Sequence, residues 1–313
     1  MTEKIATREA YGKALAQLGK VNEKVVVLDA DLSKSTKTAV FQKEFPHRFF
    51  NMGIAEQNLM GAAAGFAASG KIPFASTFAM FATGRAFEII RNSVCYPKLN
   101  VKICATHAGI TVGEDGASHQ ALEDLACMRA IPNMVVINPS DAVSAKKAIF
   151  AVAEYNGPVY VRLGRAGVPV LYEEDQLHFE IGKGIEVKDG KDVTIIATGI
   201  MVAEAMKARD LLQHEGIEAR VIDMHTIKPI DQELIIKAAE ETGAIVTAEE
   251  HNVIGGLGSA VAEVLVENKP VPMKRIGTMD TFGESGKPAE LMEKYGITAQ
   301  AIMQGVKEVC QKK

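Results

Sequence analysis

The sequence predicts an α/β protein of two successive domains, each a mostly parallel sheet flanked by helices. Short runs of β-branched residues alternate along the chain with helix-length segments, which is the pattern of βαβ units. Several of these runs are apolar throughout, as is typical of strands buried on both faces of a parallel sheet. The length of 313 residues also corresponds to two domains at about 150 residues each.

The first series of segments predicts a domain over residues 1–170. Its clearest strand is the apolar run at 25–28, which ends at Asp29-Ala30-Asp31. Further strands are predicted at 72–76, 101–105, 134–137 and 159–162, and helices at 8–18, 56–68, 81–93, 120–129 and 142–155.

A second series predicts a domain over residues 191–313. The stretch before it, 164–190, is rich in glycine and acidic residues and has weak periodicity, so a linker is placed at 171–190. Strands are predicted at 193–197, 219–222, 244–247 and 271–276, and helices at 201–214, 258–268 and 298–310.

Composition excludes several classes of function. The net charge is −4, with 35 basic residues against 39 acidic ones, so no basic excess indicates a nucleic-acid partner. No apolar stretch approaches the roughly 20 residues that cross a membrane, and the N-terminus lacks the apolar core of a signal peptide. The four cysteines are far apart and form no C-x-x-C pair, which favours a reduced, cytoplasmic protein. No spacing of His, Cys, Asp or Glu predicts a metal site in this chain.

Two segments contain more polar and ionisable residues than the fold alone requires. In 53–58, Glu56 lies where a strand gives way to a helix, and by itself it reads as an acid that complements the helix dipole. Segment 106–120 holds two histidines, two adjacent acids and three glycines directly after a buried strand. Ligands of open α/β sheets bind beyond the carboxyl ends of strands, so the second segment predicts a ligand-binding loop. Its His and Asp side chains could exchange protons with hydroxyl groups.

These segments resemble the transketolase family. The resemblance to its pyrimidine-binding domain lies in G-I-A-E-Q-N (53–58), T-F-A-M-F-A-T-G-R-A-F-E (77–88) and G-E-D-G-A-S-H-Q-A-L-E-D (113–124). The resemblance to its C-terminal domain lies in I-K-P-I-D (227–231), E-E-H-N-V-I-G-G-L-G-S-A (249–260) and D-T-F-G-E-S-G (280–286). It implies a thiamin-diphosphate enzyme that moves a two-carbon ketol unit between phosphorylated sugars, as in the pentose phosphate pathway.

One family motif is missing. Transketolases hold the cofactor diphosphate and its metal with a G-D-G motif, and no G-D-G occurs in this sequence. The resemblance therefore implies a split enzyme, in which this chain is the C-terminal subunit. A companion N-terminal subunit would bind the diphosphate and Mg or Ca, and a second copy of this chain would make homodimer contacts.

The resemblance also assigns cofactor residues. It implies that Glu56 is the carboxylate on the pyrimidine ring nitrogen and a catalytic residue. Phe78 and Phe81 match two aromatic side chains that pack on that ring. Gly84 stands where many transketolases have a third aromatic residue, so the pocket is expected to differ in shape.

The substrate residues follow in the same way. Asp115, His107 and His119 match residues that contact the sugar, and both histidines are expected to act in catalysis. Some family members have Gln at the position of His119, which favours a positioning role for it. Three residues match the site for the sugar phosphate, namely Arg8, Ser35 and Arg165, with Ser33 as the alternative to Ser35.

Other functions remain open at this stage. Deoxyxylulose-phosphate synthase also has G-I-A-E-Q, but that family is normally one long chain. The beta chains of 2-oxo acid dehydrogenases need a loop of the H-S-Q-S type, which differs from S-H-Q-A here. A ketol transferase for a rarer sugar is a further alternative. A non-catalytic stabilising or regulatory partner is the alternative of another class, although it would have no use for Glu56, His107, Asp115 and His119 together.

Overall fold

The computed structural model describes residues 3–313, and its strands form one seven-stranded, one five-stranded and one two-stranded sheet. The strands are β1 (Lys4–Ala6), β2 (Val25–Asp29), β3 (Phe49–Asn51), β4 (Ile72–Phe78), β5 (Lys102–Thr106), β6 (Val135–Ile137), β7 (Val159–Arg162), β8 (Gly167–Pro169), β9 (Ile185–Lys188), β10 (Val193–Ala197), β11 (Ala219–Asp223), β12 (Thr226–Lys228), β13 (Ile245–Asn252) and β14 (Met273–Thr278).

Helices pack on these sheets and connect their strands. The α-helices are α1 (Thr7–Val21), α2 (Ser33–Thr36), α3 (Ala39–Glu44), α4 (Glu56–Ala68), α5 (Phe87–Ile89), α6 (Asp124–Ala130), α7 (Ala142–Glu154), α8 (Met201–His214), α9 (Gln232–Thr242), α10 (Leu257–Asn268), α11 (Pro288–Lys294) and α12 (Ala299–Cys310). Short 3₁₀ turns lie at Pro46–Arg48 and Ile110–Val112, and π-helical turns lie at Phe81–Arg85 and Ile90–Cys95. Within residues 3–313, no helix has the length and apolar character that a membrane span requires.

The seven-stranded sheet has the order β12-β6-β7-β5-β4-β2-β3. All of its neighbouring strands are parallel except β12, which pairs antiparallel with β6. The central strands β2 and β5 are buried along their whole length, because helices cover both faces of the sheet. The carboxyl ends of β2, β4, β5 and β7 therefore meet at one edge.

The five-stranded sheet has the order β14-β13-β10-β11-β9. Its strands are parallel except β9, which pairs antiparallel with β11 at the edge. One cluster of buried apolar side chains runs through both domains and includes Leu28 and Ile103 from the first sheet and Ile196 and Ile222 from the second. The two domains thus share a core.

The predicted fold class is confirmed, and each predicted strand overlaps an observed one. The differences lie in irregular segments. The predicted helix at 81–93 is a succession of π-helical and α-helical turns, and the predicted helix at 120–129 begins only at Asp124. The stretch taken as a linker at 171–190 contains the edge strand β9, whose alternate residues are exposed. Because half of that strand is polar, its sequence resembles a loop.

Candidate active site

The candidate residues gather at the carboxyl edge of the seven-stranded sheet. Each lies at the end of a strand or in the segment that follows one, so the topology converts distant sequence positions into neighbours. Phe78 ends β4, His107 follows β5 and Arg165 lies just beyond β7. Arg8 is the second residue of α1 and Ser35 lies in α2.

Glu56 is a buried carboxylate at the mouth of a pocket. It is the first residue of α4, it is 5% exposed, and it lines the pocket with Ile54, Gln57 and Arg85. Arg85 Nη1 donates to both carboxylate oxygens, at 3.2 and 3.4 Å. The Arg85 side chain is 55% exposed, so this ion pair is screened by water on one side. Within residues 3–313, Glu56 therefore has a single charged partner, and that partner is largely exposed to solvent.

A group of aromatic rings is linked to this carboxylate through Arg85. The rings of Phe78 and Phe81 are stacked, with centroids 5.8 Å apart. His107 stacks on Phe78 at 3.8 Å, and His119 meets the edge of Phe81 at 5.3 Å. The Arg85 guanidinium lies over the Phe81 ring, 4.5 Å from its centroid. The aromatic pair and both predicted histidines are thus in contact.

His107 is held in one orientation and kept neutral. Its backbone adopts a positive φ of 58°, and its Nε2 lies 3.3 Å from Arg8 Nη1. A guanidinium can only donate, so Nε2 accepts and the ring proton sits on Nδ1, 2.8 Å from Thr106 Oγ1. Burial, reinforced by the positive charges of Arg8 and Arg165, lowers the pKa of His107 to about 3. At neutral pH the ring is an acceptor at Nε2.

The predicted phosphate residues form a positive group around His107. Arg8 Nη1 donates to the Ser35 carbonyl at 2.8 Å, which brings Ser35 rather than Ser33 against the arginine. Arg165 lies close enough to lower the pKa of His107, and its Nη1 donates to Glu114 Oε2 at 2.7 Å and to the Val112 carbonyl. Arg8 has only neutral partners here, and the acidic partner of Arg165, Glu114, is exposed to solvent. Both guanidinium groups therefore suit the binding of an anion.

Asp115 differs from the other candidates. It is exposed, and within residues 3–313 its side chain makes no hydrogen bond to another residue. It lies in the same loop as His107 and His119, which the fold fixes at both ends through β5 and α6. The structure therefore brings its backbone to the site without giving its carboxylate a protein partner.

Sequence reasoning missed three residues that contact the candidates and a fourth that acts on one of them through its charge. Arg85 pairs with Glu56, Glu114 pairs with Arg165, and Thr106 orients His107. Lys37 adds to the positive charge that lowers the pKa of His107. Glu114 and Thr106 lie inside the predicted loop segment, whereas Arg85 follows Glu56 by 29 residues, a separation that carries no local signal.

Comparison with known proteins identifies the family of this chain. The family model for the transketolase pyrimidine-binding domain matches residues 3–170, and the model for the transketolase C-terminal domain matches residues 182–302. The chain belongs to the transketolase family. Its extent is that of the C-terminal section of a split transketolase, as two of the following similar proteins indicate.

A Methanocaldococcus jannaschii protein, provisionally described as a transketolase C-terminal section, is 57% identical over 97% of this chain and 96% of its own length. A solved structure described as a split gene transketolase, inactive beta4 tetramer, has 62% sequence identity and a TM-score of 0.93, and covers 98% of this chain and 99% of its own. The 6-deoxy-6-sulfo-D-fructose transketolase subunit SqwH of a Clostridium species is 44% identical over 98% of this chain and 95% of its own length. In contrast, the chain spans only 49% of the length of rat transketolase, which is 42% identical over 97% of this chain.

Proposed function

We propose that this chain is the C-terminal subunit of a thiamin-diphosphate-dependent transketolase that acts in the cytoplasm, in the pentose phosphate pathway. It would transfer a two-carbon ketol unit between phosphorylated sugars, together with a companion chain. The observation that carries the proposal is the convergence at one sheet edge of a buried carboxylate, an aromatic stack and a neutral histidine flanked by arginines.

The residues at Glu56 fit the pyrimidine ring of thiamin diphosphate. A flat heteroaromatic ring needs an aromatic surface and a partner for its ring nitrogen, and Phe78, Phe81 and Glu56 offer both. When bound, the chemistry that thiamin diphosphate supplies is a carbon nucleophile for the ketol unit. Glu56 would hold a proton at the pyrimidine nitrogen, because a carboxylate in a water-poor interface forms a stronger hydrogen bond than one in water.

The sugar would be recognised by the loop and by the cations around it. His107 Nε2 accepts a hydrogen bond, so a sugar hydroxyl can take the place that Arg8 Nη1 occupies in the free chain. His119 and Asp115 would position further hydroxyl groups. Arg8 and Arg165, with Ser35 beside them, would bind the phosphate, since a guanidinium can grip two phosphate oxygens at once.

A companion chain would complete the site. The sequence lacks the G-D-G motif for the diphosphate and metal, and the chain spans about half of rat transketolase. Two exposed apolar side chains flank the candidate residues: Ile54, 76% exposed, beside Glu56, and Phe282, 84% exposed, beside the pocket that Ser118 and Gln120 line. In the proposed assembly the companion would cover both side chains. The companion would hold the Mg or Ca ion.

The test is ketol transfer from xylulose 5-phosphate to ribose 5-phosphate with thiamin diphosphate and magnesium. The chain is assayed alone and mixed with a candidate diphosphate-binding chain. We expect activity only in the mixture. Activity of the companion without this chain would instead support a non-catalytic role, and cofactor binding by the mixture without turnover would reject these sugars as substrates.

A second candidate is ketol transfer from a different anionic sugar. The related Clostridium protein is described as acting on 6-deoxy-6-sulfo-D-fructose, and a sulfonate presents oxygens to an arginine much as a phosphate does. The same mixture assayed with this sulfosugar as donor distinguishes the two, because the preferred donor has the higher kcat/KM.

A further inference from the structure

The C-terminal domain holds the segment 109–120 of the first domain at three points. Glu250 Oε1 accepts a hydrogen bond from the Thr111 backbone N–H at 2.6 Å. Ser285 Oγ donates to the Glu114 carbonyl, also at 2.6 Å. Gln120 Nε2 donates to the Glu284 carbonyl at 2.9 Å. These contacts join sequence positions 139 to 171 residues apart.

The Glu250 contact is the most deeply buried of the three. Glu250 lies in β13, and its backbone carbonyl accepts from Arg162 Nη2 at 2.9 Å. Its carboxylate lies directly against Gly109, where a Cβ atom would collide with it. Gly109 also has a φ of 84°, so both the space and the backbone conformation require glycine there. The carboxylate therefore fixes the path of the chain two residues after His107.

The fixed segment is the one that presents the sugar-binding residues. His107 has a positive φ, a conformation that a residue with a side chain keeps only when its surroundings hold it. Asp115 has no side-chain partner within residues 3–313, so its direction depends on the backbone around it. Ser285 bonds to the backbone of Glu114, the residue just before Asp115.

We infer that Glu250 and Ser285 are positioning residues for sugar binding, so that the C-terminal domain sets the geometry of the substrate loop. Neither side chain touches the candidate catalytic groups, and each acts through the backbone at 109–115. The inference rests on the proposed function for the identity of the ligand, but the holding of the loop does not depend on it.

Amide hydrogen exchange of the full chain tests the holding directly, without substrate. In Glu250→Ala, the amides of 109–113 should exchange at least about tenfold faster, since a buried N–H loses a charged acceptor. Glu250→Gln keeps an acceptor oxygen and should restore most of the protection. Ser285 is exposed, so Ser285→Ala should fold normally and loosen 113–116 alone.

Glu249→Ala is the matched control. Glu249 is the adjacent, equally buried glutamate, and it accepts from the backbone N–H groups of Leu257 and Gly258 inside the C-terminal domain. It should loosen the start of α10 and leave 109–120 protected. Equal loosening of the loop by Glu249→Ala and Glu250→Ala would overturn the inference, and so would normal protection in both Glu250→Ala and Ser285→Ala. If Glu250→Ala does not fold, Ser285→Ala decides the question.

Kinetics in the mixture with the companion chain give the second readout. Ser285→Ala and Glu250→Ala should raise KM for the ketose donor severalfold or more and change kcat less, and Glu250→Gln should restore KM. A fall in kcat at constant KM would overturn the positioning role. Absence of ketol transfer in the wild-type mixture would instead reject the proposed function and leave the exchange result standing.

Discussion

The surroundings of His107 determine its protonation state. Desolvation disfavours the charged ring, and the neighbouring cations act in the same direction, which is why its pKa falls to about 3. The histidine is therefore neutral across the physiological range. The expected pH profile of activity has no limb near 6.5 from this residue, the value of an unperturbed histidine.

The proposed role of Glu56 leads to the first prediction. Glu56→Gln should preserve the fold and lose nearly all turnover, because the amide cannot hold the proton at the pyrimidine nitrogen. Steady-state kinetics of the mixture with the companion chain measure this. Glu88→Gln, which changes an exposed carboxylate in α5 and not in α4, is the control. Activity of Glu56→Gln within tenfold of wild type, a barrier change of only about 1.4 kcal/mol, would contradict the role.

Arg165 leads to the second prediction. Arg165→Ala should raise KM for phosphorylated sugars by about tenfold or more, since each charge-assisted hydrogen bond contributes about 1.5–3 kcal/mol. The unphosphorylated sugar serves as the internal control and should be affected much less. Equal effects on both substrates would exclude contact with the phosphate.

Candidate residues that lie in short motifs could be proposed from the sequence, and residues that reach the candidate site through tertiary contacts could not. Glu56 and His107 stand inside recognisable segments at strand ends, where the topology of a parallel sheet predicts a ligand. Arg85 reaches Glu56 from 29 residues away, and Glu250 reaches Thr111 from 139 residues away. No periodicity or spacing links such pairs before the chain is folded.

Among the elements, the segment after β4 departs most from expectation. Its sequence has helical periodicity, yet it contains π-helical turns at Phe81–Arg85 and Ile90–Cys95. Such turns are rare in α-helices and occur often at functional sites. Here the wide turn contains both Phe81, in the aromatic stack, and Arg85, on Glu56. A pattern search that assumes 3.6 residues per turn finds the helix but misses this geometry.

The ends of β11 and β6 meet in a buried polar seam between the domains. Asp223 accepts hydrogen bonds from Ser140 Oγ at 2.6 Å and from the Tyr172 hydroxyl at 2.8 Å. Burial raises the pKa of Asp223 to about 7. Close by in sequence, His225 stacks on Phe179 at 4.0 Å, and burial lowers the pKa of His225 to about 3.

These two groups make stability depend on pH in opposite directions. The raised pKa of Asp223 gives stability that is present below about pH 4 and is lost as pH rises to about 7. The lowered pKa of His225 gives stability that is present above about pH 6.5 and is lost as pH falls toward 3. Between about pH 4 and 6.5 the two slopes offset each other.

The third prediction removes one slope at a time. Relative to wild type, Asp223→Asn should gain free energy of unfolding between pH 4.5 and 7.5, by up to about 1.4 kcal/mol per pH unit. For His225→Gln, the free energy of unfolding should rise relative to wild type as the pH falls from 7.5 to 4.5. Urea unfolding at several pH values measures both. A difference from wild type that is the same at every pH would contradict these pKa shifts.

For the whole molecule, a buried charge network joins the two domains. Arg162 Nε donates to Asp124 Oδ2 at 2.8 Å, and Arg162 Nη1 lies 3.9 Å from Glu250 Oε2. The Tyr160 hydroxyl donates to the same Asp124 oxygen at 2.7 Å. One guanidinium thus compensates two buried carboxylates, one from each domain.

The fourth prediction follows from that arrangement. Arg162→Ala should lower the free energy of unfolding by about 3–5 kcal/mol, because it leaves buried carboxylates uncompensated. Arg220→Ala is the matched control, since Arg220 pairs with Glu241 and Asp189, whose side chains are 44% and 79% exposed. That change should cost about 1 kcal/mol or less per pair. Urea unfolding compares the two, and equal losses would argue against the network.

The fifth prediction concerns self-association. The family resemblance implies homodimer contacts with a second copy, and this chain exposes large apolar side chains at its candidate site. Sedimentation of the chain alone at micromolar concentration should therefore give a dimer or a larger species. A purely monomeric species would contradict self-association of the chain alone.

The strand β12 limits how this chain can be cut and recombined. Its residues follow β11 of the second sheet, yet they pair with β6 and form the edge of the first sheet. A fragment that ends at residue 170 would leave β6 with an unpaired edge, which is a template for aggregation. Chimeras assembled from related genes would therefore need to transfer residues 226–228 with a β6 that matches them, so a crossover point chosen from the domain boundary alone would separate two strands that belong together.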